Sequence, residues 1–148
     1  MSFCAVVLSS RASNLVPCVR SILACEPALT PADIIVVDDG ARASAEAHLP
    51  AVRWLTGITP FVFARNANLG IGAAKTDVVL LNDDASLLTP HGFSLLAAEM
   101  LRHPEVGVCS AGIRGAVGNP RQIATHMPNF RYETRGIAFV CVFLPWRT

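Results

Sequence analysis

Two apolar runs that end in carboxylates constrain this chain more than anything else in it: Val78-Val79-Leu80-Leu81-Asn82-Asp83-Asp84 and, upstream, Ile34-Ile35-Val36-Val37-Asp38-Asp39-Gly40. Leucine and β-branched side chains hold a strand inside a sheet, but an aspartate cannot follow them into the core unless something neutralises it. The carboxylates therefore sit at the strand mouths. An acidic cluster there suits a hard divalent cation, which takes oxygen ligands and keeps positions free for phosphate oxygens. Two strands carrying carboxylates at the same end point to one site.

Strand-length apolar runs alternate with segments of helical period, the pattern of a mostly parallel sheet with helices on its faces. Phe3 to Leu8 reads as the first strand. Ser13 or Asn14 can cap a helix carrying Leu15, Val19, Ile22 and Leu23, with Pro17 near its first turn. After the strand Ile34 to Val37 come an alanine-rich helical turn over Ser44 to Leu49 and a short strand at Val52 to Leu55. Ala64 to Lys75 has helical composition despite Gly70 and Gly72, each costing roughly 1 kcal/mol against alanine. Close approach to a ligand or a neighbouring backbone would offset that cost. Thr89-Pro90 opens a helix with an apolar face of Phe93, Leu96, Ala97, Met100 and Leu101. Val106 to Ser110 is a strand candidate, Gly112 to Arg135 a long loop, and Ile137 to Leu144 a last strand.

The composition narrows the classes of function. With 52% apolar and 16% charged residues, a formal charge of +1 and eleven scattered arginines, the chain has neither a disordered tail nor a nucleic-acid footprint. Cys4, Cys18, Cys25, Cys109 and Cys141 show no CxxC spacing and read as reduced core residues of a cytoplasmic protein. The amino terminus lacks the pattern of a signal peptide, and the longest late apolar run is too short to span a bilayer. The expectation is one soluble domain over residues 1–148.

Taken together, the helix segment NLVPCVRSIL, the strand and turn IIVVDDGA, the segment ARNANLGIGAAKTDVVLL, the acidic NDDA and the helix opening LTPHGF resemble the amino-terminal, nucleotide-sugar-binding part of a family 2 glycosyltransferase. The resemblance implies a three-layer α/β/α, Rossmann-like GT-A fold. It implies that Asp38 and Asp39 contact the base and ribose, that Arg65 and Asn66 lie near the nucleotide, and that Asn82-Asp83-Asp84 stands at the family's DxD motif. Asp84 would then ligate Mg²⁺ or Mn²⁺ with help from Asn82, whose amide oxygen replaces a carboxylate, while Asp83 contacts the ribose. The serine or threonine that usually follows the glycine of the first acidic motif is Ala41 here. A guanidinium such as that of Arg65 can grip phosphate or stack on a base. His126 aligns with no metal-ligand position of such enzymes.

The implied partner is a nucleoside-diphosphate sugar of UDP or dTDP type, for inverting transfer to an unknown acceptor. In the family, a carboxylate base deprotonates the acceptor from a region beyond the strand matched by Gly136 to Trp146. The chain ends at Thr148 before any such Glu-Asp pair, and Glu133 has no context as that base, so the catalytic residue is unknown on this reading. The sequence describes a donor-binding domain shortened at its carboxyl end. It is compatible with a transferase completed by a partner, a noncatalytic nucleotide-sugar binding module, or an inactive fragment. A receiver-like domain is disfavoured because the first strand ends in Ser9-Ser10-Arg11 rather than in an acidic pair. The apolar final strand, Ile137 to Leu144, is expected to be protected by self-association, a homodimer being the simpler solution, or by the loop from Gly112 to Arg135.

Overall fold

The computed structural model describes residues 2–115 and 139–146. Six strands form one sheet: β1 (Phe3–Ser9), β2 (Ile34–Asp38), β3 (Arg53–Thr56), β4 (Asp77–Asn82), β5 (Cys109–Ser110) and β6 (Cys141–Leu144), in the order β3-β2-β1-β4-β6-β5. β1 to β4 run parallel, and β6 lies antiparallel between β4 and β5. Four helices cover the sheet: α1 (Ala12–Cys25), α2 (Arg42–Ala45), α3 (Phe63–Ala74) and α4 (Gly92–Arg102).

β1 shows why two layers of helix are needed, because all seven of its residues are buried. Ala5 and Val7 point into one core with Leu15, Val19 and Ile22 of α1 and Phe93, Ala97 and Met100 of α4. Val6 and Leu8 point into the other, where Ala67 of α3 packs. The period of two along a strand thus divides one apolar run between opposite faces. The three-layer, mostly parallel architecture expected from the sequence is the one observed.

Several local expectations change. α1 starts earlier than Ser13 or Asn14 would allow: the Arg11 carbonyl accepts the Asn14 and Leu15 amides at 3.1 and 3.0 Å, and no side chain caps the helix. Pro17 is consequently its sixth residue, beyond the first turn. Ser13 and Pro17 are both exposed, so water can satisfy the Ser13 carbonyl that Pro17 leaves without a donor. α4 starts at Gly92 rather than Thr89, behind a left-handed His91 (φ 57°) whose amide donates to the Cys25 carbonyl at 2.7 Å. Leu101 faces outward, 64% exposed, instead of joining the apolar face. From the Val106 to Ser110 candidate only Cys109–Ser110 forms a strand.

The final strand is also better covered than the sequence suggests. β6 has a neighbour on each side, and Val142 and Phe143 are fully buried, the latter meeting Phe3 edge to face at 6.0 Å between ring centroids. The uncovered strand on which the homodimer expectation rested is therefore absent from Cys141–Leu144; residues 137 and 138 lie outside the described residues, as do Glu133, His126 and most of the Gly112 to Arg135 loop.

Candidate functional site

The parallel register sets the ends of three strands level. Ser9 of β1 stands beside Asp38 of β2, and Leu8 stands beside Asn82 of β4. From β1 the chain passes through α1 to β2 on one side; it later returns through α3 to β4 on the other. The carboxyl edge beside β1 is thus a point where strand order reverses, the usual place for a ligand in an open α/β sheet.

A cleft of about 270 Å³ opens there. Leu8, Ser9 and Ser10 line it from the end of β1, Asp39 from β2, and Asn82, Asp83 and Asp84 from β4, while Phe61 and Phe63 form an aromatic wall. The two acidic motifs do meet in one site.

Their members are not equivalent. The Asp83 carboxylate accepts the Ser9 hydroxyl through Oδ2 at 2.7 Å, whereas Asp84 is exposed. Asp39 is half-buried, and its amide donates to the Ser9 carbonyl at 2.8 Å. Asp38 is absent from the cleft lining. Its Oδ1 accepts the amides of Gly40, Ala41 and Arg42 at 3.0, 2.7 and 2.9 Å, tying the end of β2 to the start of α2. Gly40 makes that turn at φ +114°, a conformation glycine adopts without steric cost.

Arg65 and Asn66 lie next to each other on α3 with opposite environments. Arg65 is exposed and stands outside the cleft lining. Asn66 is fully buried and grips one residue from both sides, accepting the Ile58 amide at 2.6 Å and donating to the Ile58 carbonyl at 3.3 Å. The same loop is tied to β2 by the Gly57 amide, which donates to the Asp38 carbonyl at 2.7 Å. Asn66 thereby anchors the segment leading to Phe61 and Phe63.

One thiol lies close to this edge. Cys18 is buried in α1, and burial first, then the negative charges of Asp83, Cys141 and Asp84, push it up to about 12. It stays a protonated thiol at neutral pH and offers no nucleophile. As to metals, no group of three or more His, Cys, Asp or Glu among the described residues is arranged to hold an ion. The donors present are oxygens, from Asp84, Asp83 and Asn82, and they suit a hard cation only if a ligand supplies further oxygens.

The sequence reading missed Ser9, Ser10, Phe61 and Phe63. Ser9 and Ser10 had been legible only as the polar end of a strand; parallel pairing with two acid-tipped strands makes that end part of the site. The signal for Phe61 and Phe63 was an i, i+2 aromatic pair just after Pro60, where no core strand continues.

The family model for glycosyl transferase family 2 matches residues 4–142. The chain belongs to that family. No curated protein sequence gives a significant match. Among solved structures, this family 2 chain is similar in fold to S. aureus TarS 1-349, with a TM-score of 0.57 and 16% identity over 81% of this chain. It is similarly matched by S. aureus TarS 1-349 in complex with UDP-GlcNAc, with a TM-score of 0.56 and 17% identity over 81% of this chain. The matches cover 38% and 37% of those TarS chains. The GT-A type of α/β fold is therefore shared, and no described helix is long and apolar enough to cross a membrane.

Proposed function

We propose that the cleft binds a nucleoside-diphosphate sugar for inverting transfer to an acceptor hydroxyl. The observation that carries this reading is the convergence of Asp39, Asn82, Asp83 and Asp84 with Phe61 and Phe63 in one cleft at the carboxyl edge. Membership of family 2 and the UDP-GlcNAc complex of TarS support a donor of UDP type, with dTDP as the related alternative.

On this reading Asp39 serves the nucleoside end and the Asn82–Asp84 segment serves the diphosphate. Exposed Asp84, helped by Asn82, would hold Mg²⁺ or Mn²⁺, while Asp83 meets the ribose through the oxygen that Ser9 leaves free. The cation supplies charge neutralisation for the departing diphosphate when bound. Arg65, three residues into α3, is the candidate for reaching a phosphate beyond the cleft wall. Deprotonation of the acceptor needs a base that the described cleft residues do not identify.

Calorimetric titration of UDP, dTDP, GDP and ADP, with and without Mn²⁺, tests the site. We expect Mn²⁺-dependent binding of UDP or dTDP, reduced about tenfold or more by Asp84→Ala and less by Asp83→Ala. Equal and undiminished affinity in both variants, with folding intact, contradicts the metal assignment. Incubation of the binding nucleotide's sugars with Mn²⁺ then separates transfer or slow donor hydrolysis from binding without turnover.

A further inference from the structure

We propose that Ser9 is a positioning residue of the donor site, orienting the Asp83 carboxylate through its own hydroxyl. The assignment rests on the nucleotide-sugar reading of the cleft.

Ser9 is 3% exposed, although it ends its strand at the mouth of the cleft. Its hydroxyl has one proton and two possible acceptors, the Asp83 carboxylate at 2.7 Å and the Arg11 carbonyl at 3.4 Å. The shorter bond, to a charged acceptor, wins. Its oxygen can meanwhile accept the Arg11 amide at 3.3 Å, which fixes the direction of the hydroxyl. The Ser9 carbonyl accepts the Asp39 amide at 2.8 Å. One buried residue therefore links the two acidic strand ends.

The consequence lies in how the two aspartates of the β4 motif divide their work. Oδ2 of Asp83 already accepts the Ser9 hydroxyl, which leaves Oδ1 as the oxygen without a partner among the described residues and ties the carboxylate to the end of β1 before anything binds. Asp84 is exposed, and among the described residues no hydrogen bond holds its carboxylate, so it can turn toward an incoming charge. A site with one fixed and one adjustable carboxylate binds with less ordering cost than one with two mobile groups.

The test is a double-mutant cycle on the full chain, read by UDP calorimetry with and without Mn²⁺ and by thermal unfolding of the ligand-free protein. Ser9→Ala should weaken UDP binding about tenfold, the scale of one charge-assisted hydrogen bond. The same change made in an Asp83→Ala background should weaken it little further, because the group that Ser9 holds is gone. Ser9→Cys, which keeps volume and weakens the donor, replaces Ser9→Ala if the alanine variant does not fold. A Ser9 variant that is merely less stable but binds with full affinity overturns the assignment, as does an equal loss in both backgrounds. A wild-type chain that binds none of the nucleotides overturns the site reading and this assignment with it.

Discussion

Glu26 and Ser94 are joined across the fold by a 2.6 Å hydrogen bond from the serine hydroxyl to a fully buried carboxylate. The other carboxylate oxygen accepts the amides of Phe93 and Ser94 at 3.0 and 2.9 Å, so the residue that follows α1 caps the first turn of α4. A negative charge there also suits the positive end of the helix dipole.

Glu26→Ala should cost about 3 kcal/mol, because it leaves the buried Phe93 amide, the half-buried Ser94 amide and the Ser94 hydroxyl without their acceptor. Glu26→Gln should cost less, since its amide oxygen can still cap the helix and Ser94 can turn its hydroxyl to accept. Urea unfolding midpoints decide this; an alanine variant with the wild-type midpoint would show that the cap contributes nothing.

The two glycines of α3 should respond in opposite directions to alanine. At Gly70 a Cβ would overlap Val6 Cγ1 and come within 3.0 Å of Val37 Cγ2, so the helix must lift off the sheet at a cost of about 2 kcal/mol. At Gly72 a Cβ meets nothing within 4 Å, and alanine should stabilise by roughly 1 kcal/mol. Thermal melts of the two variants give the comparison, and a shift of the same sign in both would refute it.

Asn66→Asp should destabilise the chain by about 2 kcal/mol, since it keeps an acceptor for the Ile58 amide but sets a carboxylate oxygen against the Ile58 carbonyl. Unfolding midpoints measured beside UDP affinity separate scaffold from ligand contact. Affinity lost with no change in stability would restore the direct nucleotide role implied by the family resemblance.

Alkaline pH should unfold the protein. Burial pushes the Cys18 and Cys141 thiols up to about 12 from an ordinary value of 9.0, so the folded state keeps protons that the unfolded state releases. Their contribution is fully present below pH 9 and is lost between pH 9 and about 12, by roughly 1.4 kcal/mol per thiol for each pH unit. Cys18→Ala/Cys141→Ala should flatten that decline. A wild-type melting temperature that holds level from pH 8.5 to 10.5 would contradict the buried-thiol account.

The strands were the most legible elements because runs such as Ile34–Val37 and Val78–Leu81 carry their environment in their composition. Helix starts were less so: neither Arg11 nor His91 caps its helix with its own side chain, and the first turn of α4 is capped instead by Glu26 from a distant part of the sequence. The glycine puzzle in α3 divided, since Gly70 answers to side chains of the sheet rather than to a ligand or backbone, and Gly72 to nothing nearby. In the site, the meeting of Asp39 with Asp84 was foreseeable from two similar strand ends. Asp38 and Asn66 show the limit of that inference, because a polar residue in a motif can be engaged by backbone groups that only the folded chain brings within reach.

β1 has no solvent side, and its last two residues, Leu8 and Ser9, must arrive level with Asn82 and Asp38. In a saturation-mutagenesis map it should form an unbroken intolerant block, unlike α4, where the outward Leu95 and Leu101 give alternating permissive positions. Insertions should be harsher still: one extra residue before Val6 would exchange the two cores' side chains and carry Ser9 past its partners, coupling the packing of the interior to the alignment of the cleft.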